Sequence, residues 1–296
     1  MKLQNKIKWR AKYLFELSRV LLKEPRRDSL LFLLAHLLPR DSFLRDKVHQ
    51  KYIKSFICGS LSSEELVLDL KLFKVVADKA HCYKNKAITL QFFDLVYPYL
   101  AKNPILIREE PYEKDGVELK TGDIAVDAGA YLGLFSLLAS KKVGPMGKVY
   151  AFEPISENYK LLKKSVKLNK AENIEVIPRA LAEKEGMLSM VAEEGRFNQS
   201  SGFLKDGRAK RTVKQISLDE FIKQKKISRI DFIKVDTEGM EREVLTGAKR
   251  VIRKFKPRLA ICTYHRPDDS KIIKEIIQSS GQQYKFTQTE KKLYAW

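Results

Sequence analysis

Two glycines four residues apart, Gly129 and Gly133, follow a carboxylate, Asp127, that ends the short apolar run in Asp123-Ile-Ala-Val-Asp-Ala-Gly-Ala-Tyr-Leu-Gly-Leu-Phe-Ser136. A strand, a tight glycine turn and a helix start, in that order, form the cradle that holds adenosine-containing cofactors. Past Gly133, the segment Lys148-Val-Tyr-Ala-Phe-Glu153-Pro reads as a second strand ending in an acid. From that position a carboxylate can take the two hydroxyls of a ribose, although a helix-capping carboxylate would look the same in sequence. The Gly-x-x-x-Gly spacing departs from the three-glycine dinucleotide fingerprint, so the helix start is less closely set for a pyrophosphate. Asp127 can reach a cationic ligand through a backbone or water network. These features favour S-adenosylmethionine over NAD or FAD.

A second group of candidates sits at the ends of two later strands. Asp236 and Glu238 close the run Ile230-Asp-Phe-Ile-Lys-Val-Asp-Thr-Glu-Gly239, and Tyr264-His265 follow Arg258-Leu-Ala-Ile-Cys-Thr263. Methyl transfer from a sulfonium is an in-line displacement. Holding the acceptor oxygen against the methyl supplies up to about 7–11 kcal/mol in ideal cases. An alcohol must also lose its proton, and a positioned base accelerates that step on the order of 10²–10⁴-fold. His265 is the candidate base, with Asp236 and Glu238 raising its pKa and orienting its ring. A His capping the next helix before Pro267 is the structural alternative. Asp236, Glu238 and His265 can also be read as ligands of a divalent cation that acidifies the acceptor hydroxyl. Lys234, two residues before Asp236 on the same strand face, is expected to be buried against a carboxylate.

The elements that must position these residues follow from periodicity. From about residue 105, strands at 123–128, 148–153, 174–180, 229–235 and 257–264 alternate with helices at 131–141, 156–169, 217–225, 239–255 and 268–280. Two closing strands, 283–289 and 292–296, form a hairpin. Such alternation implies an α/β, doubly wound, mostly parallel sheet with an antiparallel C-terminal hairpin, and ligands at the carboxyl ends of its strands. Residues 1–105 read as an all-helical N-terminal bundle, separate from a catalytic domain at 106–296. Its signals are Trp9, Tyr13, Leu14, Leu17, Val20 and Leu21 at helical spacing, the Leu30–Leu38 segment stopped by Pro39, a helix from Ser62 through Ala80, and another from about Ile88 to Leu100. The loop Phe197-Asn-Gln-Ser-Ser-Gly202 and the segment Glu110-Pro-Tyr112 are candidates to line an acceptor pocket or to fold over the cofactor.

The balance of 57 basic against 37 acidic residues gives a net charge of +20, spread along the whole chain. That charge attracts anions, whether RNA, acidic glycans or an anionic membrane face, without choosing among them. Cys58, Cys82 and Cys262 are odd in number and lack metal-ligand spacing, which fits buried thiols in a reducing compartment. The opening residues lack a signal-peptide layout, and the longest apolar run, Leu30–Leu38, is about half of a membrane span. A cytoplasmic location is the expectation. The basic opening helix can dock on the bundle or make peripheral membrane contact. The fourth strand carries no Asp-Pro-Pro-Tyr-like motif, the device with which amino-directed nucleic-acid enzymes hold a base. A ribose-directed RNA methyltransferase is therefore the second reading, after a small-molecule or glycan acceptor. Oligomeric state is not readable.

Asp127-Ala-Gly-Ala-Tyr-Leu-Gly133, Glu153-Pro-Ile-Ser-Glu-Asn158, Ser217-Leu-Asp-Glu-Phe221 and Ile230-Asp-Phe-Ile-Lys-Val-Asp-Thr-Glu-Gly239, in this order and at this spacing, resemble FkbM-type methyltransferases over about residues 105–265. The resemblance implies a class I methyltransferase fold, S-adenosylmethionine as cofactor, and O-methylation of sugars or secondary metabolites. It also implies roles for single residues. Asp127, Gly129, Ala130 and Gly133 would surround the amino-acid moiety of the cofactor, and Glu153 its ribose. Arg179, Ala180 and Leu181 would lie near the adenine, and Asp236 and Glu238 beside the sulfonium and its methyl. One position departs from the pattern: Tyr131 stands where the family usually carries Asn.

Overall fold

The computed structural model describes residues 57–60, 65–69, 74–78, 111–191 and 210–296. The chain divides into two compact units, one of residues 1–72 and 77–108, the other of residues 73–76 and 109–296. In the first unit, β1 (Ile57–Ser60) pairs antiparallel with β2 (Glu65–Asp69). A third strand, β3, covers Lys74–Asp78. These strands replace the helix expected from Ser62 to Ala80 and correct the expectation of an all-helical N-terminal region. The β-branched Val67, Val75 and Val76 favour extended backbone. The helices expected near Trp9–Leu21, Leu30–Leu38 and Ile88–Leu100, the opening basic helix and the loop 197–202 lie outside the described residues.

The second unit is built on a seven-stranded sheet. Its strands are β4 (Ile124–Ala128), β5 (Lys148–Phe152), β6 (Ile174–Ile177), β10 (Phe232–Val235), β11 (Arg258–Cys262), β12 (Phe286–Gln288) and β13 (Lys292–Ala295), in the order β12-β13-β11-β10-β4-β5-β6. β11, β10, β4, β5 and β6 run parallel, and β12 and β13 pair antiparallel at one edge. Within this sheet the chain runs from β4 outward through β5 and β6, then returns to β10 on the other side of β4. The strand order thus reverses between β4 and β10, which opens a crevice at their carboxyl ends.

Alternation along the strands sorts the two faces. Val126, Ala128, Phe152, Ile233, Val235, Leu259 and Ile261 join one buried cluster. That cluster also takes residues from α3 (Leu218–Lys225), α4 (Glu241–Thr246), α5 (Lys249–Phe255) and α6 (Asp269–Gln278). The residues between them, Ala125, Asp127, Phe232, Lys234 and Cys262, point to the opposite face. There Phe135 of α1 (Leu134–Val143) stacks on Phe232, with ring centroids 6.0 Å apart. The helix after β5 is α2 (Ser156–Leu168). A hydrophilic Asp127 in a buried strand is therefore aimed at the α1 side by the same alternation that buries its neighbours.

Two expected elements are subdivided. The third strand ends at Ile177, and β7 (Ala180–Leu181) leaves it for a separate sheet of order β7-β9-β8 with β8 (Gly186–Val191) and β9 (Lys210–Ile216). The helix expected over 239–255 is two helices broken at Gly247. A Cβ there would stand 2.1 Å from the Ala182 carbonyl oxygen, so the chain turns where only glycine fits. α3 starts where Ser217 predicts, its hydroxyl accepting from the Glu220 amide at 3.2 Å. No described helix is long and apolar enough to cross a membrane.

Candidate functional site

The glycine turn binds β4 to its neighbours rather than standing free. Gly129 has φ +81, and a Cβ there would come 1.9 Å from the Asp236 carbonyl oxygen of the adjoining strand end. Gly133 has φ +86 and abuts Leu162 of α2 in the same way, at 2.1 Å. Gly129 and Ala130 donate their amides to the Phe152 carbonyl at 3.2 and 2.9 Å. Between the glycines, Tyr131 also has a positive φ, +53. Asn enters this left-handed region more readily than a bulky side chain, which gives the family's usual residue at this position a backbone reason.

Lys234 faces Asp127 in the parallel register of β10 and β4. Asp127 is fully buried, with Oδ1 2.9 Å from Lys234 Nζ and Oδ2 accepting from Ser136 Oγ at 2.6 Å. Lys234 Nζ also donates to the Gly129 carbonyl at 2.7 Å. Burial works against its charge, but Asp127 and Asp236 outweigh it and raise its pKa above the ordinary lysine value. The expected buried pairing of Lys234 is thus with Asp127, and it ties down the glycine loop.

Glu153 is buried at 5 % exposure and serves as a brace. Its Oε2 accepts from the Tyr131 amide at 2.8 Å, and its Oε1 from the Ile155 amide at 2.9 Å and Asn158 Nδ2 at 3.3 Å. It therefore joins the glycine turn to the start of α2. Burial pushes its pKa up to about 7, against the pull of the Ile155 and Tyr131 amides, Asn158 and Lys234. Arg179 and Ala180 lie beyond the end of β6. Arg179 pairs with Glu185 at 2.9 Å, and Ala180 begins β7 with 8 % exposure.

At the ends of β10 and β11 the acids and the imidazole come together. His265 Nε2 stands 3.2 Å from Glu238 Oε2 and 3.9 Å from Asp236 Oδ1, and its Nδ1 stands 3.1 Å from Glu241 Oε1. These are ion-pair distances, with neither ring nitrogen in line for a hydrogen bond. Burial disfavours the charged ring, but Glu238, Glu241 and Asp236 overcome it and carry the His265 pKa up to about 10. At neutral pH the ring is an imidazolium. Glu238, held at φ +55, is the most open of the three acids, with 36 % of its side chain exposed. Burial raises its pKa, partly offset by His265.

Asp236 Oδ2 accepts from Tyr112 Oη at 2.6 Å, while its Oδ1 is buried and has no hydrogen-bond partner among the described residues. Burial raises the Asp236 pKa, but Lys234, His265, Tyr112 and Lys292 prevail and lower it overall. The Tyr112 ring lies between two buried ammonium groups, with Lys234 Nζ 5.3 Å and Lys292 Nζ 4.6 Å from its centroid. Glu110, expected to fold over the cofactor with Tyr112, lies outside the described residues. Cys262 is a buried free thiol 3.9 Å from Tyr112 Oη, and burial pushes its pKa up.

Sequence reasoning brought Asp236, Glu238 and His265 together, placed Tyr112 in a segment expected to fold over the cofactor, and missed two partners, Glu241 and Lys292. Glu241 is an acid in the first turn of a helix, a position where acids are common, so it gave no separate signal. Tyr112 and Lys292 reach the site from distant sequence positions. Asp236, Glu241 and His265 present one ligand atom each within 4.8 Å of one another, a set that contains Glu241 rather than the expected Glu238. The imidazolium already supplies positive charge to this acidic cluster, and the arrangement by itself assigns no ion to it.

Comparison with known proteins adds the following. The model of the methyltransferase FkbM domain matches residues 127–287, more than half of the chain. The methyltransferase sdnD of Sordaria araneosa is 29 % identical over 164 residues, which cover 45 % of this chain and 63 % of that protein. The crystal structure of a methyltransferase FkbM from Methylobacillus flagellatus is 23 % identical, with a TM-score of 0.48, and the match covers 74 % of this chain and 56 % of that one. Fibrillarin from Aeropyrum pernix, solved with natively bound S-adenosyl-L-methionine, is 14 % identical with a TM-score of 0.38, covering 60 % and 68 % of the two chains. The chain thus spans less than two thirds of the length of the Sordaria and Methylobacillus proteins.

Proposed function

Because this chain belongs to the methyltransferase FkbM domain family, we propose that it transfers a methyl group from S-adenosylmethionine to a hydroxyl of a sugar, glycolipid or small metabolite. The observation that carries this reading is the gathering of Asp127, Asp236, Glu238 and His265 at the carboxyl ends of β4, β10 and β11, where the strand order reverses. The residues fit a cationic cofactor. Asp236 Oδ1 is buried without a hydrogen-bond partner among the described residues, and an unmatched carboxylate oxygen of that kind suits a sulfonium or ammonium group. Gly129, Ala130 and Gly133 shape the turn for the amino-acid end. Glu153 Oε2 accepts one protein hydrogen bond and keeps a lone pair for a ribose hydroxyl. Ala180 borders the adenine side.

When bound, the cofactor supplies a methyl on sulfonium sulfur, whose C–S bond breaks as the acceptor C–O bond forms, the sulfur keeping the electron pair. The acceptor's hydroxyl proton goes to the Glu238–His265 pair. Glu238 receives it, because it is the exposed member of the pair and burial raises its pKa above the ordinary carboxylate value. His265 holds the Glu238 carboxylate in place and spreads its charge. Asp236 stays ionised beside them and favours the cationic donor. Lys234 and Ser136 keep Asp127 in position under the glycine turn.

The test is incubation of the purified chain with methyl-labelled S-adenosylmethionine and a host extract divided into RNA, glycan, lipid and small-molecule fractions. Label in the glycan, lipid or metabolite fraction supports the proposal. Label in RNA replaces it with ribose methylation, a reading that the +20 charge would then serve. No label together with no cofactor binding by calorimetry overturns it.

A further inference from the structure

Glu241 stands outside the set of residues that the sequence marks for chemistry, yet it is the acid with the most partners at the site. It is 1 % exposed, and its Oε1 accepts from the Thr237 amide at 2.8 Å, from Thr237 Oγ1 at 3.2 Å and from the Gly239 amide at 3.3 Å. The same oxygen lies 3.1 Å from His265 Nδ1. One carboxylate oxygen therefore touches both halves of the site, the Asp236–Gly239 turn after β10 and the imidazole after β11. The turn needs such a hold. Glu238 and Gly239 both have positive φ, +55 and +100, a conformation that strains a non-glycine residue unless its surroundings fix it.

The two carboxylates at the imidazole differ in freedom. Glu238, at Nε2, is 36 % exposed and has room to move, whereas Glu241, at Nδ1, is buried and fixed by three donors. A buried acid on one ring nitrogen with the other nitrogen turned toward the reacting groups is the arrangement by which a carboxylate orients a histidine. We infer that Glu241 is a positioning residue: its buried carboxylate clamps the Thr237–Gly239 turn and the His265 ring together, so that Nε2 stays beside Glu238. This rests on the proposed site, but it concerns the geometry of that site and not the identity of the acceptor.

The groups that act on the ring are Asp236 and Glu238 from the turn, Glu241 from α4, and Tyr264, whose ring centroid lies 4.1 Å from that of His265. Arg266, next in the chain, is paired with Glu243 at 3.0 Å. Glu241→Gln separates clamp from turn. The Gln carbonyl can still accept from Thr237 and Gly239, but the charge facing Nδ1 is gone.

The experiment is a ¹⁵N-resolved NMR titration of the His265 imidazole in the full chain, without cofactor or acceptor. In E241Q the titration midpoint should fall by about 1–3 units and the two ring nitrogens should lose their distinct environments. In E238Q the fall should be smaller and the ring environment should persist. Equal titrations in E241Q and wild type overturn the inference. If E241Q does not fold, E238Q decides alone: a midpoint that drops all the way to the ordinary imidazole range would make Glu238 the holder of the ring, whereas a midpoint that stays elevated supports Glu241. Because the readout is the imidazole, failure here leaves methyl transfer untouched, and failure to find methyl transfer leaves the clamp standing.

Discussion

Lys234 Nζ reaches Asp127 Oδ1 at 2.9 Å because the two residues are partners in the parallel register of β10 and β4 and both point to the face covered by α1. The pair ties the glycine turn to the neighbouring strand at the point where the order of strands reverses. Removing one member leaves the other charge buried without its counter-ion, which typically costs 3–5 kcal/mol. Asp127→Asn should therefore lose about 3–5 kcal/mol in urea unfolding. A double variant, Asp127→Asn with Lys234→Met, should recover part of that loss. If the double variant is no more stable than the single one, the ion pair is not what the buried lysine depends on.

Gly129 marks a second junction between the same strands. The methyl of Gly129→Ala would need the space occupied by the Asp236 carbonyl oxygen, 1.9 Å away, on a backbone at φ +81. Overpacking costs about 1–3 kcal/mol, and the left-handed conformation adds about 1–2 kcal/mol for a residue with a Cβ. The thermal midpoint should fall by several degrees, and under the proposed function the displacement of Asp236 should weaken binding of S-adenosylmethionine as well. An unchanged midpoint would mean that β4 and β10 separate more easily than their geometry implies.

The parallel sheet and the ends of its strands were legible because their signals are local. Apolar runs ending in Asp127, Glu153 and Asp236, glycines at fixed offsets and Ser217 before a helix each reflect a constraint within a few residues. What stayed hidden depends on distance in space. Gly247 splits an apparently continuous helix only because Ala182 lies against it. Tyr112 meets Asp236 across 124 positions. Glu153 reads in sequence as a ribose acid, with helix capping as the alternative, and its contacts show a carboxylate already engaged by the turn and by α2. The strands at 57–78 were misread because short apolar stretches fit a helix as readily as a strand until their pairing is known.

Tyr112 offers a narrow test of the Asp236 environment. Its hydroxyl donates to Asp236 Oδ2 at 2.6 Å, and hydrogen bonds to charged groups contribute about 1.5–3 kcal/mol. Tyr112→Phe keeps the ring between Lys234 and Lys292 but removes the donor. Stability at neutral pH should fall by about 1.5–3 kcal/mol, and the Asp236 carboxyl should titrate higher than in the wild type. A Phe variant with wild-type stability would show that the hydroxyl is replaced by water at no cost.

His265 links stability and cofactor binding to pH. Its folded pKa of about 10 lies above the ordinary imidazole value of 6.5. The stabilisation is therefore complete below about pH 6.5 and is lost as pH rises through about 10. A positive charge added to the site must lower that pKa. Under the proposed function, S-adenosylmethionine should shift the His265 NMR titration downward, and S-adenosylhomocysteine, which lacks the sulfonium charge, should shift it less. Equal shifts with the two would place the sulfonium away from His265.

Glu153 gives the opposite kind of evidence, since here burial rather than a partner charge sets the direction. Its folded pKa of about 7 exceeds the ordinary 4.5, so the unfolded chain releases this proton first. Its contribution to stability is full below about pH 4.5 and falls as pH rises toward 7, by about 3 kcal/mol at roughly 1.4 kcal/mol per unit. Glu153→Gln mimics the neutral acid and cannot titrate. The variant should therefore gain on the wild type by about 3 kcal/mol between pH 4.5 and pH 8 in urea unfolding. Under the proposed function its affinity for S-adenosylmethionine should drop, since the amide nitrogen competes for the position assigned to the ribose acceptor. Parallel stability curves for the two proteins would mean that the carboxylate is better solvated than its 5 % exposure implies. A flat stability difference with weakened cofactor binding would keep the ribose role while removing the burial argument, so the two measurements test separate claims about one side chain.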